Sequence, residues 1–119
     1  MAVQSTRIIT ISQVGDGLTN NAVFPAAANG ASPGDIDVIA LSAGNNTITL
    51  PTGGVTPTGA TLVPPAGNTQ ALILKGVAGD TGITIAKTDP CSISFENPPP
   101  ASFVVNAAGI VNGFRVVWT

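Results

Sequence analysis

The chain has 119 residues, of which only 8% are charged and 44% hydrophobic, with a formal net charge of −2. Charge at about a third of the usual share, beside that much hydrophobicity, excludes a disordered polyelectrolyte. The four basic residues, Arg7, Lys75, Lys87 and Arg115, are too scattered to build a nucleic-acid patch from sequence neighbours.

The opening "MAVQSTRIITIS" lacks the basic start and long apolar run of a signal peptide, and no window approaches ~18 unbroken apolar residues, which predicts synthesis in a cytoplasm and no membrane span. Within it "TRIITIS" (6–12) is β-branched and reads as a strand. Residues 13–35, "QVGDGLTNNAVFPAAANGASPGD", hold no convincing strand over a length that ordinary connections do not reach. Because this stretch carries Val14, Leu18, Val23 and Phe24, it reads either as a loop folded over the core or as an arm that docks on a neighbouring subunit.

Short strand signals then follow one another to the end of the chain. "IDVIALS" (36–42) alternates Ile36, Val38 and Ala40 against Asp37, Ile39 and Leu41, and "NTITL" (46–50) puts Ile48 and Leu50 opposite Thr47 and Thr49. Between them "AGNN" (43–46) has the residues of a tight hairpin. "ATLV" (60–63), "QALILK" (70–75), "ITIA" (83–86), "SISF" (92–95), "SFVVN" (102–106) and "GFRVVWT" (113–119) complete about nine strands. Proline-rich "VPPAGN" (63–68) and "ENPPP" (96–100) cannot donate to a ladder and so end strands. With helix periodicity absent, the pattern predicts one all-β domain over 1–119: an antiparallel β-sandwich, jelly-roll or Ig-like, with a long loop in its N-terminal half.

The most site-like segment is "KGVAGDTGI" (75–83). A nucleotide P-loop places its lysine after the glycines and before a helix, whereas here Lys75 precedes them and a strand follows. The spacing G-x-x-G-x-x-G is not the dinucleotide fingerprint, three triplets do not make collagen, and Asp80 alone cannot hold calcium. The segment therefore reads as a hairpin connection in which Gly76, Gly79 and Gly82 supply backbone conformations closed to other residues and Asp80 and Thr81 bond local amides.

Catalytic equipment is sparse. One cysteine, no histidine and no tyrosine exclude a disulfide framework, Ser-His and Cys-His nucleophiles and an ordinary zinc site. Cys91 reads as a small buried side chain. Asp35 and Asp37 lie on one side of a strand but follow a "SPGD" turn, where solvated carboxylates are common. Asp16 with Asn20 or Asn21 gives too few acids for calcium. A sugar-binding strip needs Trp or Tyr, and Trp118 ends an alternating strand, where a core edge or an interface anchor is its plainer use.

"NTITLP", then "VPPAGNTQALILKGVAGDTGITI", and the late "GFRVVWT" together resemble small structural proteins of tailed bacteriophages, which share a strand ending in Leu-Pro, a PPxGNT turn and a KGxxGDTG loop. The matching positions are 50–51, 64–69 and 75–82; the likeness spans 46–119, and residues 1–45 carry none of it. It implies a virion component of β-sandwich type and carries over no catalytic residues, which agrees with the expectation from the residues above of a non-enzymatic chain without cofactor, metal, nucleic acid or membrane partner. The role expected is capsid decoration or cementing through contacts with the major capsid protein or other virion proteins, as a homo-oligomer. The alternative is a tail or baseplate accessory module that binds a host-surface glycan. Expected contact residues are Leu18, Val23 and Phe24 of the arm, Pro98, Pro99 and Pro100, and Trp118.

Overall fold

The computed structural model describes residues 8–15, 18–25, 36–52 and 56–119, the first two of these segments by their backbone. Among them lie ten strands and no helix: β1 (Ile8–Gly15), β2 (Leu18–Pro25), β3 (Ile36–Leu41), β4 (Gly44–Thr49), β5 (Gly59–Val63), β6 (Leu72–Lys75), β7 (Ile83–Ile85), β8 (Cys91–Ser94), β9 (Ser102–Ala107) and β10 (Val111–Trp118). Eight of them form two packed antiparallel sheets: β3-β10-β5-β8, here sheet I, and β4-β9-β6-β7, sheet II. The sandwich thus has eight strands rather than nine. The strand expected at 6–12 belongs to a separate pair, β1 with β2, which sets Ile9 opposite Phe24 and Ile11 opposite Ala22. The segment 13–35 is accordingly not strandless, since β1 runs on to Gly15 and β2 takes 18–25. Residues 26–35 lie outside the described residues.

The pairing is nested. β6 pairs with β7, β5 with β8, β4 with β9 and β3 with β10, all antiparallel. The chain is in effect one long two-stranded ribbon that doubles back at 76–82 and folds over itself. Two further ladders, β5 with β10 and β6 with β9, stitch the folded ribbon into sheets. Where the ribbon bends from one sheet to the other, prolines 51, 57, 64, 65, 90 and 98–100 interrupt the ladder. The two legs stay tied at these bends. Leu50 N–H donates to Ala101 O at 3.0 Å, Phe95 N–H to Thr58 O at 2.8 Å, and the Asn68 Nδ2 amide to Lys87 O at 2.8 Å.

The expected hairpin at 43–46 is one such bend: β3 and β4 go to different sheets. Gly44, at φ 101°, turns the chain, and the Asn46 side chain holds the corner. Its Oδ1 accepts from Ser42 N–H at 3.0 Å and Ser42 Oγ at 3.1 Å, while its Nδ2 donates to the carbonyls of Ser42, Gly44 and Val105. A side chain that satisfies the corner's backbone removes the need for a paired β3–β4 ladder.

Period-two alternation fills the space between the sheets. Leu41, Ala60, Leu62, Leu72, Phe114, Val116 and Trp118 are almost wholly buried, with Ile48, Phe103 and Val105 beside them. Each buried Leu, Val, Ile or Phe contributes about 1.5–3 kcal/mol against leaving it in water. A bulge in β10 between Val111 and Phe114, with Gly113 at φ 81°, re-phases that strand so that Val111, Phe114, Val116 and Trp118 all point inward.

Candidate functional site

The tip of the ribbon settles the chemistry of "KGVAGDTGI". The Asp80 carboxylate accepts from the amides of Gly76 at 3.1 Å and Val77 at 3.0 Å, and Asp80 N–H closes back onto Val77 O at 3.1 Å. A phosphate cradle would need those same amides free and would not tolerate a carboxylate in their place. Lys75 donates its ammonium to Ala78 O at 3.3 Å, within the same loop. Strand pairing resumes at once, Leu74 opposite Ile83. The hairpin reading is correct, but only one of its three glycines has the assigned reason. Gly82 sits at φ 78°, and a Cβ there would stand 2.6 Å from Leu74 O, whereas Gly79 faces open space and neither it nor Gly76 has a positive φ.

Beneath this tip the two sheets part. Edge strands β7 and β8 have three and four residues, too short to close that side of the sandwich. The opening is a cleft of about 510 Å³ walled by Leu74, Ile83, Ile93, Phe95 and Phe103, with Lys75 and Asp80 at its mouth. Phe95 and Phe103 lie 6.2 Å apart between ring centroids, and Phe103 meets Trp118 edge-on at 6.1 Å, so the inner wall is a rigid aromatic row. Ile83 is 69% exposed, which leaves the cleft an apolar lip.

The two outer faces of the sandwich differ in chemistry. On sheet II, Asn45, Thr47, Asn106 and Lys75 face out, and Asn106 donates to Asn45 across the strands at 2.8 Å. The apolar members of this face, Ile73 and Val104, are half-buried and buried among them. On sheet I, Ile36, Val38 and Ala40 of β3 adjoin Val117 of β10 and Val63 of β5, with Arg115 among them, while the β5–β8 side carries Thr61, Ser92 and Ser94, Thr61 and Ser92 sharing a hydrogen bond of 2.7 Å. Ile36 is 57% and Val38 68% exposed. The other row of β3 is Asp37, Ile39 and Leu41, of which Asp37 is exposed, Ile39 half-buried and Leu41 buried. The Trp118 indole N–H donates to Asp37 Oδ2 at 2.9 Å.

The residues expected to act are placed as follows. Trp118 is 1% exposed, its ring packed inside the sandwich and its N–H engaged, so it offers no face to a sugar or a partner. Pro98 and Pro100 are exposed and Pro99 is half-buried beside Phe95 and Leu50, in a loop entered by a cis Asn97–Pro98 bond. Leu18, Val23 and Phe24 belong to β2, and their side chains lie outside the described residues, as does Asp35. Asp37, the other half of the carboxylate pair, is the partner of Trp118. Cys91 is half-buried against the core opposite Leu62. Among the described residues no three His, Cys, Asp or Glu side chains cluster. The apolar face of sheet I and the cleft lip at Ile83 were not singled out in the sequence; the alternation in "IDVIALS" was visible, but not which side met water.

No family model, curated protein or solved structure matches the chain.

Proposed function

We propose that the chain is a jelly-roll structural protein of a tailed-phage virion, which decorates and cements the capsid through protein contacts. The jelly-roll part of this reading is supported by the nested order of eight strands in two four-stranded sheets, in place of the unequal sheets of an immunoglobulin constant domain. The virion part is proposed on the motifs at 50–51, 64–69 and 75–82 alone. The observation that carries the docking role is the exposure of Ile36 at 57% and Val38 at 68% on the β3–β10 side of sheet I, beside Val117 and Val63, whereas the apolar side chains on the outer face of sheet II are half-buried (Ile73) or buried (Val104). An apolar face on a chain with 8% charged residues suits a surface that is covered in use.

The mechanism is passive. Sheet I lies across a junction between capsid subunits, and the cleft under the ribbon tip receives an apolar side chain of the shell at its Ile83 lip. Because the bound surface exists only on the assembled shell, binding stabilises the shell over its free subunits by mass action. The glycan alternative loses its anchor with Trp118 inside the core. Mass spectrometry of gradient-purified virions tests the proposal: many copies of the chain per particle are expected, and their absence refutes it. Addition of the chain to shells that lack it raises their melting temperature, and Val117→Glu, on a central strand of sheet I, abolishes the gain.

A further inference from the structure

The sandwich has four edge strands, and three are blunted in the ways by which natural sheets avoid pairing with other chains. β7 and β8 are very short, and β4 is polar, with Asn45 and Asn46 already bonded. β3 is different. It has six residues, "IDVIAL", with no proline and no lysine. It pairs with β10 on one side, and among the described residues no main-chain hydrogen bond falls on its other side. Its single charge, Asp37, is exposed, but it stands on the face opposite Ile36 and Val38 and its Oδ2 accepts from the Trp118 indole N–H at 2.9 Å.

We infer that two copies of this chain pair antiparallel along the outer edges of their β3 strands, with Val38 on the two-fold axis. The register follows from chemistry. With Val38 opposite its own copy, Ile36 faces Ala40 and Asp37 faces Ile39 of the second copy. Residues directly opposite share a face, so the outward residues Ile36, Val38 and Ala40 of both copies meet on one side as apolar cross-strand pairs. Asp37 never opposes Asp37, and the outward N–H and C=O groups of both edges, which bond no described residue, are satisfied at once. A shift by one residue would set the outward row of one copy against the inward row of the other. The product is one continuous eight-stranded sheet with its apolar outer face uncovered, so the pairing leaves the docking surface free and doubles it. This association concerns the free chain in solution and stands or falls apart from the virion reading.

The test uses the full chain. Sedimentation equilibrium is expected to show a dimer. Val38→Lys puts two ammonium groups face to face on the axis and weakens the dimer at least about tenfold; Val38 is exposed in the monomer, so the fold is retained. In a Cys91→Ser background, Val38→Cys is expected to give a disulfide-linked dimer under mild oxidation. Paired residues lie about 4.5–5.5 Å apart between Cα atoms, within disulfide reach. Thr47→Cys, which faces out on β4, stays uncrosslinked. A monomer at all accessible concentrations overturns the inference, as does a dimer indifferent to Val38→Lys, or one in which Val38→Cys fails to crosslink. A monomer would instead mean that the edge of β3 is covered within one chain.

Discussion

Two glycines in one loop provide the sharpest test of how the ribbon turns. Gly82 has φ 78°, and a Cβ on it would lie 2.6 Å from Leu74 O and 2.6 Å from Ile73 Cγ2. The methyl of Ile73 can rotate away, but the carbonyl belongs to the β6 ladder and cannot. A left-handed backbone costs a residue with a Cβ about 1–2 kcal/mol, and forcing extra atoms into a packed site costs a further 1–3 kcal/mol or so. Gly82→Ala is therefore expected to lose about 3 kcal/mol. At about 4 °C per kcal/mol for a chain of this length, the melting temperature falls by about 12 °C. Gly79, three residues earlier, has open space around it and no positive φ, so Gly79→Ala stays within about 0.5 kcal/mol of the parent. Thermal melts by circular dichroism, with urea unfolding to confirm an unchanged m-value, read both variants. If Gly82→Ala and Gly79→Ala melt together near the parent, the turn is not held as described and the reasoning is wrong.

Three further outcomes follow from particular contacts. Asn46→Ala strips the β3–β4 corner of bonds to Ser42, Gly44 and Val105 and is expected to cost about 2 kcal/mol in urea unfolding. Asp37→Leu leaves the buried Trp118 N–H without an acceptor, at about 1–3 kcal/mol, whereas Asp37→Asn keeps an acceptor oxygen and costs under about 1 kcal/mol in the same assay. On the proposed reading, Ile83→Arg closes the lip of the cleft and weakens binding to shells in a co-sedimentation assay by about tenfold or more, while Thr47→Lys on the polar face changes it less than about twofold.

Much of the sandwich was legible in the sequence because period-two alternation and proline breaks are local signals. The strands of both sheets stand close to where "NTITL", "QALILK" and "GFRVVWT" placed them. What failed was what depends on distant residues. "AGNN" has the residues of a hairpin, yet whether it pairs β3 with β4 or carries the chain between sheets depends on β9 and β10, some sixty residues further on. "LTNNAVFP" was read as loop because Thr19, Asn20 and Asn21 break the apolar alternation, and its strand exists by pairing with β1. The face of β3 that meets water was illegible for a similar reason. Asp37, still exposed, shares the side of half-buried Ile39 and buried Leu41, and its partner there is an indole from the far end of the chain. The loop at 76–82 was read correctly as a turn, while the carboxylate that occupies its amides emerged only in three dimensions.

The central claim is that the chain works by laying the apolar face of sheet I on other protein in an assembled particle. Electron cryomicroscopy of the purified particle tests it most directly. The account predicts density for an eight-stranded sandwich on the capsid surface, with Ile36, Val38 and Val117 against neighbouring subunits and Asn45 and Asn106 toward solvent. A particle without that density, or one in which the Asn45–Asn106 face makes the contact and the Ile36–Val38 face meets solvent, would contradict it.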